Sequence, residues 1–244
     1  MSDAVLSLED LGVTFSDGTE TLRGIDLHVA PGEFVAVVGP SGCGKSTLLR
    51  VAAGLQQPST GSSRAPESTG YVFQDPTLLP WRTVGANVGL FAELHGMDRE
   101  ERQTRVSAAL ATVGLSDWSG HYPRQLSGGM RMRVSLARSL VLQPTLFMFD
   151  EPFGAVDEMT RERLNDELQA LFAEQKFAGL FVTHSVSEAV FLATRVLVMS
   201  ARPGRIVADI DVPFPHPRPH DLRYTAEFAS IAAQVSAALR GGAS

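Results

Sequence analysis

The sequence predicts an α/β fold in which helices cover a mainly parallel sheet. Three observations lead to this prediction. The short apolar run Phe34–Val38 precedes a glycine-rich loop and a helical segment. Further along, the continuous apolar runs Leu146–Phe149 and Leu180–Thr183 are typical of strands buried on both faces. Helical segments separate these runs, and strands that alternate with helices through long connections favour a parallel sheet.

Composition limits the function classes that need to be considered. The chain has 244 residues, 44% hydrophobic and 20% charged, which is ordinary for a globular protein. Its net charge of −6 argues against a general nucleic-acid binder. No apolar run approaches the ~20 residues needed to span a bilayer, and Met1–Ala4 lacks the basic start of a secretory signal. We therefore expect a cytoplasmic protein that reaches a membrane only through a partner.

Alternating apolar residues predict strands in the N-terminal region. They occur at Val5–Leu8, Leu11–Phe15 and Leu22–Val29. The helix after the glycine-rich loop is expected to end at Gly54, a plausible C-cap. Residues 56–70 are rich in Ser, Pro, Thr and Gly, and we expect a loop or a degenerate hairpin there.

A helical block separates the two strand-bearing regions. The pattern is helical from about Val84 to Ser119, and Arg99–Val113 is predicted as its second helix. We expect a helical subdomain at about 84–130 within a single domain, 1–244.

The C-terminal part of the chain has a composition of its own. Pro213–Pro219 is predicted to be an extended proline-rich connector. Residues 221–240 form an amphipathic pattern, with Phe228 and Val235 on the apolar side, and this helix is expected to pack on its own chain. Together they form an expected extension at about 213–244.

The glycine-rich loop has the G-x-x-x-x-G-K-S spacing of a phosphate-binding loop. Its glycines let several backbone N–H groups point at one anion, and the helix N-terminus that follows also favours negative charge. Lys45 is expected to neutralise the β- and γ-phosphates, and the Ser46 hydroxyl to ligate Mg²⁺. Cys43, the single cysteine, cannot form an internal disulfide and is expected to be a small residue that fills the turn. The residues expected to bind phosphate are Gly39, Pro40, Ser41, Gly42, Cys43, Gly44, Lys45, Ser46 and Thr47.

Polar residues directly follow several predicted strands. Ligand groups collect outside the carboxyl ends of parallel strands, so we expect these residues at one edge of the sheet. Asp150 can hold Mg²⁺ opposite Ser46, and Glu151 can orient or deprotonate water. Gln74 could touch both the metal and this water, and His184 could hydrogen-bond the γ-phosphate. The predicted catalytic residues are thus Glu151, His184 and Gln74, and the predicted metal ligands are Ser46, Gln74 and Asp150.

A second anion-binding feature lies at the start of another predicted helix. Ser127 is a good N-cap residue, and Gly128 and Gly129 follow it. By itself this pattern indicates only a capped helix. Together with the first loop, it suggests a composite site. In such a site the helix start Ser127–Gly129 of one subunit, an anion-binding nest, closes over a nucleotide held by another subunit.

These motifs, in this order, resemble the ATP-binding subunit of an ABC transporter. The resemblance covers nearly the whole chain, and the signature motif is specific to that family. The matching segments are Phe15, where the family stacks an aromatic ring on adenine, Gly39–Thr47 (Walker A), Gln74 (Q-loop), Leu126–Met130 (signature), Phe149–Glu151 (Walker B), Ala155–Asp157 (D-loop) and His184 (switch histidine).

The resemblance carries expectations about fold, cofactors and partners. It implies a P-loop NTPase fold with a RecA-like parallel sheet core, an N-terminal antiparallel β region and an inserted α-helical subdomain. It implies hydrolysis of ATP with Mg²⁺ in a head-to-tail homodimer, with each ATP between Walker A of one subunit and Ser127–Gly129 of the other. It also implies membrane permease subunits, an extracytoplasmic solute-binding protein and a place at the cytoplasmic face of the membrane.

Other segments narrow the resemblance to importers of nitrate, sulfonate or taurine. They are Phe73–Val84, Met130 in the signature and Arg202–Val207. The chain also departs from the family, because the stretch between Gly54 and Gln74 is shorter than usual, and Met132 replaces a usual glutamine. The resemblance thus implies that the solute is a small anion such as nitrate, sulfonate or taurine.

Two alternatives belong to other functional classes. A soluble ABC ATPase that acts on DNA, ribosomes or cofactor assembly would be expected to carry coiled-coil insertions, tandem cassettes or a basic face, and the sequence has none of these. A binding module that no longer hydrolyses ATP is disfavoured by the intact residues Asp150, Glu151 and His184.

Overall fold

The computed structural model describes residues 4–242. The ends of the expected domain and extension, residues 1–3 and 243–244, lie outside the described residues. The strands are β1 (Leu6–Thr14), β2 (Glu20–Val29), β3 (Phe34–Val38), β4 (Thr60–Arg64), β5 (Thr69–Val72), β6 (Leu146–Asp150), β7 (Ala178–Thr183), β8 (Arg195–Met199) and β9 (Ile206–Asp211). The helices are α1 (Lys45–Ala52), α2 (Val84–Val88), α3 (Leu90–Leu94), α4 (Arg99–Thr112), α5 (Gly128–Leu140), α6 (Glu158–Gln175), α7 (Val186–Leu192) and α8 (Ala226–Gly241).

The larger sheet has six strands in the order β5-β6-β7-β3-β8-β9. The first five are parallel, and β9 runs antiparallel to β8. This confirms the predicted parallel core. Because β5, β6, β7 and β3 are neighbours with the same direction, their carboxyl ends meet at one edge, which we call the carboxyl edge. The opposite edge, where these strands begin, is called the amino edge.

The smaller sheet is antiparallel, with the order β2-β1-β4. Two predicted strands, Val5–Leu8 and Leu11–Phe15, are in fact the single strand β1, which bulges at Asp10, where φ is 44°. Gly61 of β4 faces this bulge, and a Cβ at Gly61 would lie 2.3 Å from the carbonyl oxygen of Asp10. Glycine is therefore required at this close approach.

Strand β4 differs from the sequence expectation for residues 56–70. Thr60–Arg64 pairs with β1 and completes the smaller sheet. The pattern TGSSR has no apolar alternation, since this strand is mostly exposed. It pairs through backbone groups, which every residue type here provides.

Both faces of the larger sheet are buried. Alternate residues of β3 belong to different clusters: Phe34 and Val38 face a core shared with most of the helices, whereas Val35 and Val37 face α1 and the smaller sheet. A continuous apolar run is what such a doubly covered strand requires.

The helical block lies between β5 and β6 in the chain. The predicted helix Arg99–Val113 is confirmed as α4, and its N-cap Asp98 accepts hydrogen bonds from the backbone of Glu100 and Glu101. Helices α2 and α4 pack on α5, so the block attaches to the sheet through that helix. Within residues 4–242, no helix is both long and apolar enough to cross a membrane.

The C-terminal helix packs on its own chain, as expected. In α8, Phe228 and Val235 are buried against the main core. The connector before it is anchored by Arg218, whose guanidinium donates five hydrogen bonds to backbone carbonyl groups. Their oxygens belong to Val190, Phe191, Ala193 and, twice, Phe214, at 2.7–3.1 Å.

Candidate functional site

The phosphate-binding loop lies between β3 and α1, at the carboxyl edge. Its glycines adopt backbone conformations that other residues avoid: φ is 77° at Gly42 and 108° at Gly44. A Cβ at Gly44 would also lie 2.7 Å from Leu22 of β2. The loop is therefore held in a tight turn that opens into the N-terminus of α1.

Lys45 is the first residue of α1 and is buried, with 6% of its surface exposed. Its Nζ donates to the carbonyl oxygens of Gly39, at 2.9 Å, and Pro40, at 3.1 Å. It also lies 4.0 Å from Glu151 Oε1. The ammonium group thus lies inside the loop, and the carboxylate of Glu151, directly after β6, faces it.

Asp150, the last residue of β6, accepts hydrogen bonds from two hydroxyl groups. Ser46 Oγ donates to its Oδ1 at 2.8 Å, and Tyr71 OH donates to its Oδ2 at 3.3 Å. Burial and the charge of Asp150 raise the pKa of Tyr71, so this phenol keeps its proton at neutral pH. Sequence reasoning missed Tyr71, because only the register of β5 beside β6 brings it to this carboxylate.

This pair of oxygen groups fits a magnesium ion. Mg²⁺ takes oxygen ligands and is commonly held by one or two protein groups together with water and substrate phosphates. The Ser46 hydroxyl and the Asp150 carboxylate supply such groups beside the phosphate loop. Within residues 4–242, no group of three or more His, Cys, Asp or Glu has an arrangement that could hold a metal ion.

Glu151 follows β6 in a left-handed backbone conformation, with φ of 46°. Its N–H donates to the Val182 carbonyl at 2.9 Å, which ties this turn to β7. Its Oε2 lies 3.0 Å from His184 Nδ1, within hydrogen-bonding distance. The carboxylate therefore lies between the imidazole of His184 and the ammonium group of Lys45, and it is well placed to accept a proton from water.

Gln74 follows the end of β5 and reaches the same place. A Cβ at Gly154 would lie 3.5 Å from Gln74 Nε2 and 3.8 Å from Glu151 Oε2. The structure therefore brings Gln74, Glu151, His184, Lys45 and Ser46 to one edge of the sheet, as the sequence predicts.

Phe15 lies on a turn near the phosphate loop and is 42% exposed. The nearby Asp17 has a lowered pKa, mainly because the backbone N–H of Thr19 donates to it, with a smaller effect of the Arg202 charge. The Arg202 guanidinium in turn donates two hydrogen bonds to the Gly42 carbonyl, at 3.0 and 3.2 Å. These two hydrogen bonds fix Arg202 beside the phosphate loop.

The second anion-binding feature lies elsewhere in the chain. Ser127 is exposed and caps α5 by accepting a hydrogen bond from Met130 N at 3.3 Å. Gly129 packs against α6, where its Cβ would lie 2.9 Å from Thr160. Among the described residues, no hydrogen bond joins Ser127, Gly128 or Gly129 to the phosphate loop. Within the described part of the chain, the two features are thus not joined by hydrogen bonds.

A phosphate loop at the carboxyl edge, with Ser–Asp and Glu–His pairs beside it, defines a nucleoside triphosphatase of the phosphate-loop class. Residues 22–154 match the ABC transporter family. The chain belongs to this family and is an ATP-binding subunit of an ABC importer.

Two curated relatives illustrate the sequence similarity. The chain is 44% identical to an aliphatic sulfonates import ATP-binding protein of Rhodopseudomonas palustris, over 99% of this chain and 85% of the relative. It is 51% identical to a protein of the same description from Nocardia farcinica, over 84% of this chain and 83% of the relative. These relatives do not support the alternative of a soluble ABC ATPase without a transport role.

Solved structures agree in fold. A dimeric ATP-binding cassette in a post-hydrolysis state, bound to ADP and Pi, is 28% identical and matches 86% of this chain and 100% of its own, with a TM-score of 0.75. A cassette from Clostridium perfringens, part of an ABC transporter complex, is 26% identical over 98% of both chains, with a TM-score of 0.79. The chain thus has the P-loop NTPase fold that its motifs imply, and it binds and hydrolyses ATP.

Proposed function

We propose that this subunit powers the uptake of an aliphatic sulfonate from the cytoplasmic face of the cell membrane. The names of the relatives support this solute class. The segment Phe73–Val84, which resembles importers of nitrate, sulfonate and taurine, points to the same group of small anions.

The proposed division of labour follows the contacts at the carboxyl edge. Lys45 and the loop N–H groups bind the β- and γ-phosphates. Ser46, Asp150 and Gln74 hold Mg²⁺, which supplies positive charge to the phosphates when bound. Glu151 orients the attacking water and accepts its proton, and His184 keeps that carboxylate in place. The observation that carries this assignment is the Glu151 carboxylate, 3.0 Å from His184 and 4.0 Å from Lys45.

The complete site is proposed to need a second copy of the chain. Ser127 and Gly128 are exposed at the start of α5, and among the described residues no hydrogen bond joins this helix start to the phosphate loop of its own chain. In a head-to-tail dimer this nest would close over the γ-phosphate held by the partner subunit, while Phe15 would stack on adenine. The dimeric cassette among the similar structures supports this arrangement.

We propose that ATP binding and hydrolysis change the conformation of this subunit, and that membrane permease subunits in contact with it receive this change. Trp81 is 71% exposed on the loop that follows Gln74, and Leu94 of α3 is 72% exposed. Large apolar groups exposed near a loop that senses the nucleotide are suited to a protein interface. An extracytoplasmic binding protein would deliver the solute from the other side.

Reconstitution with the permease tests this proposal. The subunit, its permease and the binding protein would be placed in proteoliposomes, and ATPase turnover would be measured with ethanesulfonate, taurine or nitrate. We expect the largest stimulation with ethanesulfonate, and none in a Lys45→Ala complex, which lacks the ammonium group in the loop. Stimulation by nitrate alone would overturn the sulfonate assignment, and stimulation of the Lys45→Ala complex would overturn the role of the loop.

A further inference from the structure

A large cleft opens at the amino edge of the larger sheet. Its volume is about 1030 Å³, at the upper end of the range of small-molecule sites. One wall is formed by Phe147 near the start of β6, and another by Phe177 and Ala178 at the start of β7. Along β6, at about 3.3 Å per residue, Phe147 is roughly 13 Å from Glu151. The cleft is therefore separate from the carboxyl edge.

The cleft exists because the chain crosses this edge by a short connection. Strand β4 ends at Arg64 and β5 begins at Thr69, so only the four residues 65–68 carry the chain from β4 in the smaller sheet to β5 in the larger one. Ala65 and Pro66 of this connection line the cleft but do not fill it. Opposite them stands helix α4, which presents the small side chains of Thr104, Ala108 and Thr112. Small residues on that helix leave the space between the helical block and the sheet open.

The charged residues that line the described part of the cleft are all cations. Among the described residues, its lining includes Arg64, Arg105 and Lys176 but no aspartate or glutamate. Arg105 is paired with Glu101 at 2.6 Å. Arg64 and Lys176 are exposed, and within residues 4–242 neither forms a salt bridge. Within residues 4–242, two lining cations thus have no carboxylate partner, in a chain with a net charge of −6, and they make this a locally positive site.

Many of the other residues that line the cleft are apolar. Val5, Ala65 and Pro66 keep part of their surface accessible, whereas Phe147 is only 1% exposed. We propose that this cleft binds an amphipathic organic anion, with its apolar chain on the surface that Val5, Ala65 and Pro66 expose and its anionic head bound by Arg64 or Lys176. Apolar burial supplies affinity for the chain, and charge-assisted hydrogen bonds orient the head. The proposal does not depend on the transported solute, because these cations would accept a sulfonate or a carboxylate head.

Calorimetric titration of the purified subunit tests the proposal. The probes are 1-octanesulfonate and octanoate, which share a chain but differ in head group, sodium sulfate, which lacks the chain, and 1-octanol, which lacks the charge. Saturable one-site binding of either anion, at least tenfold tighter than sulfate or octanol, is the expected result. Tighter binding of octanesulfonate would identify the sulfonate class as the ligand, and equal binding would identify amphipathic anions generally.

Two kinds of variant locate the binding. The pair Arg64→Ser and Lys176→Ser removes the free charges, and we expect it to weaken octanesulfonate binding at least tenfold. Ala108→Phe adds a ring to an exposed position of α4 and is expected to block the cleft without a change in charge. The matched control, Arg99→Ser with Arg240→Ser, removes two exposed cations outside the lining.

Three results would overturn the proposal. They are the lack of saturable binding for both anions, binding that persists in the cleft variants, and an equal loss of binding in the control pair. Each variant is also titrated with ATP. An unchanged ATP affinity shows that the variant is folded and that the carboxyl edge is intact.

Discussion

The two edges of the larger sheet differ in how their polar groups are used. At the carboxyl edge, Ser46 binds Asp150 and His184 lies against Glu151, so residues from different strands satisfy one another. At the amino edge, Arg64 and Lys176 border an open cleft. In a parallel sheet, functional groups collect at the carboxyl ends of the strands. The amino ends are covered by connecting segments of the chain.

The amino edge is itself covered unevenly. Beside α7 and β8, the connector Pro213–Pro219 covers this edge. All five N–H groups of the Arg218 guanidinium donate to backbone carbonyl groups, and His216 Nε2 lies 3.1 Å from the Leu192 carbonyl oxygen. Beside β5 and β6, the short connection 65–68 leaves the cleft. One part of this edge is thus built for stability, and the other has room for a ligand.

The largest expected effect tests the carboxyl edge. Glu151→Gln removes the proposed proton acceptor but keeps its size, so we expect turnover to fall about 10²–10⁴-fold. ATP affinity should stay within a factor of about three, since glutamine keeps the shape and removes only a charge outside the phosphate loop. ATPase assays and ATP titration measure the two quantities, and light scattering should show a trapped dimer.

Glu174→Gln is the matched control, because Glu174 is exposed near the end of α6. It should leave turnover unchanged. Wild-type turnover in Glu151→Gln would remove Glu151 from its proposed role.

The second prediction tests the sealed part of the amino edge. Burial lowers the pKa of Arg218 to about 10, and the residue is still charged at neutral pH. Arg218→Met would leave several buried carbonyls without a donor, and we expect the free energy of unfolding to fall by about 3 kcal/mol. ATP affinity of the folded variant should not change, because the connector lies far from the loop.

Urea unfolding gives the stability, with Arg240→Met on the surface of α8 as the control. If both variants lost the same stability, the buried hydrogen bonds of Arg218 would not be the cause.

A smaller effect concerns pH. Burial, with a contribution from the Arg218 charge, lowers the pKa of His216 to about 4, so the unfolded chain binds its proton first. The stability from neutral His216 is therefore complete above pH ~6.5 and is lost as the pH falls from there towards ~4. After allowance for partial exposure, we expect a loss of about 1–2 kcal/mol across this window.

His216→Gln should lower this pH dependence, whereas the exposed His95→Gln should retain it. Urea unfolding between pH 4 and 7 provides the comparison. Equal slopes in the wild type and His216→Gln would contradict the assignment.

The smallest expected effect concerns Tyr71 at the carboxyl edge. Tyr71→Phe removes one hydroxyl donor from Asp150, which is worth about 1 kcal/mol. The Mg²⁺ concentration for half-maximal turnover should therefore rise about fivefold, with ATP affinity in the absence of Mg²⁺ unchanged. The control is Tyr122→Phe, at a 38% exposed tyrosine. An unchanged Mg²⁺ requirement would show that Tyr71 does not position Asp150.

The sequence predicted the carboxyl edge well, for a physical reason. Lys45, Asp150 and His184 each stand at a fixed short distance from an apolar run, so a local pattern locates each of them. Parallel strands then bring these ends together. The contact from Tyr71 could not be found in this way, since it depends on the register between β5 and β6.

The amino edge was much harder to predict. Strand β4 has polar residues that pair only through the backbone, and Arg218 stands among prolines in a segment that gives no sign of burial. The sequence shows that the stretch after Gly54 is short. The cleft, however, is the space enclosed by α4, the connection 65–68 and the first residues of β6 and β7, so it depends on several segments at once. No single segment carries that information.

The position of β3 in the sheet has a consequence for synthesis of the protein. This strand leaves the ribosome early, yet both of its neighbours, β7 and β8, begin only at Ala178 and Arg195. Until then β3, which leads into the phosphate loop, has no neighbour in the larger sheet, and long-range pairings of this kind form slowly. A nascent chain should therefore acquire ATP affinity only after about four-fifths of its length has emerged, since domains generally fold as units.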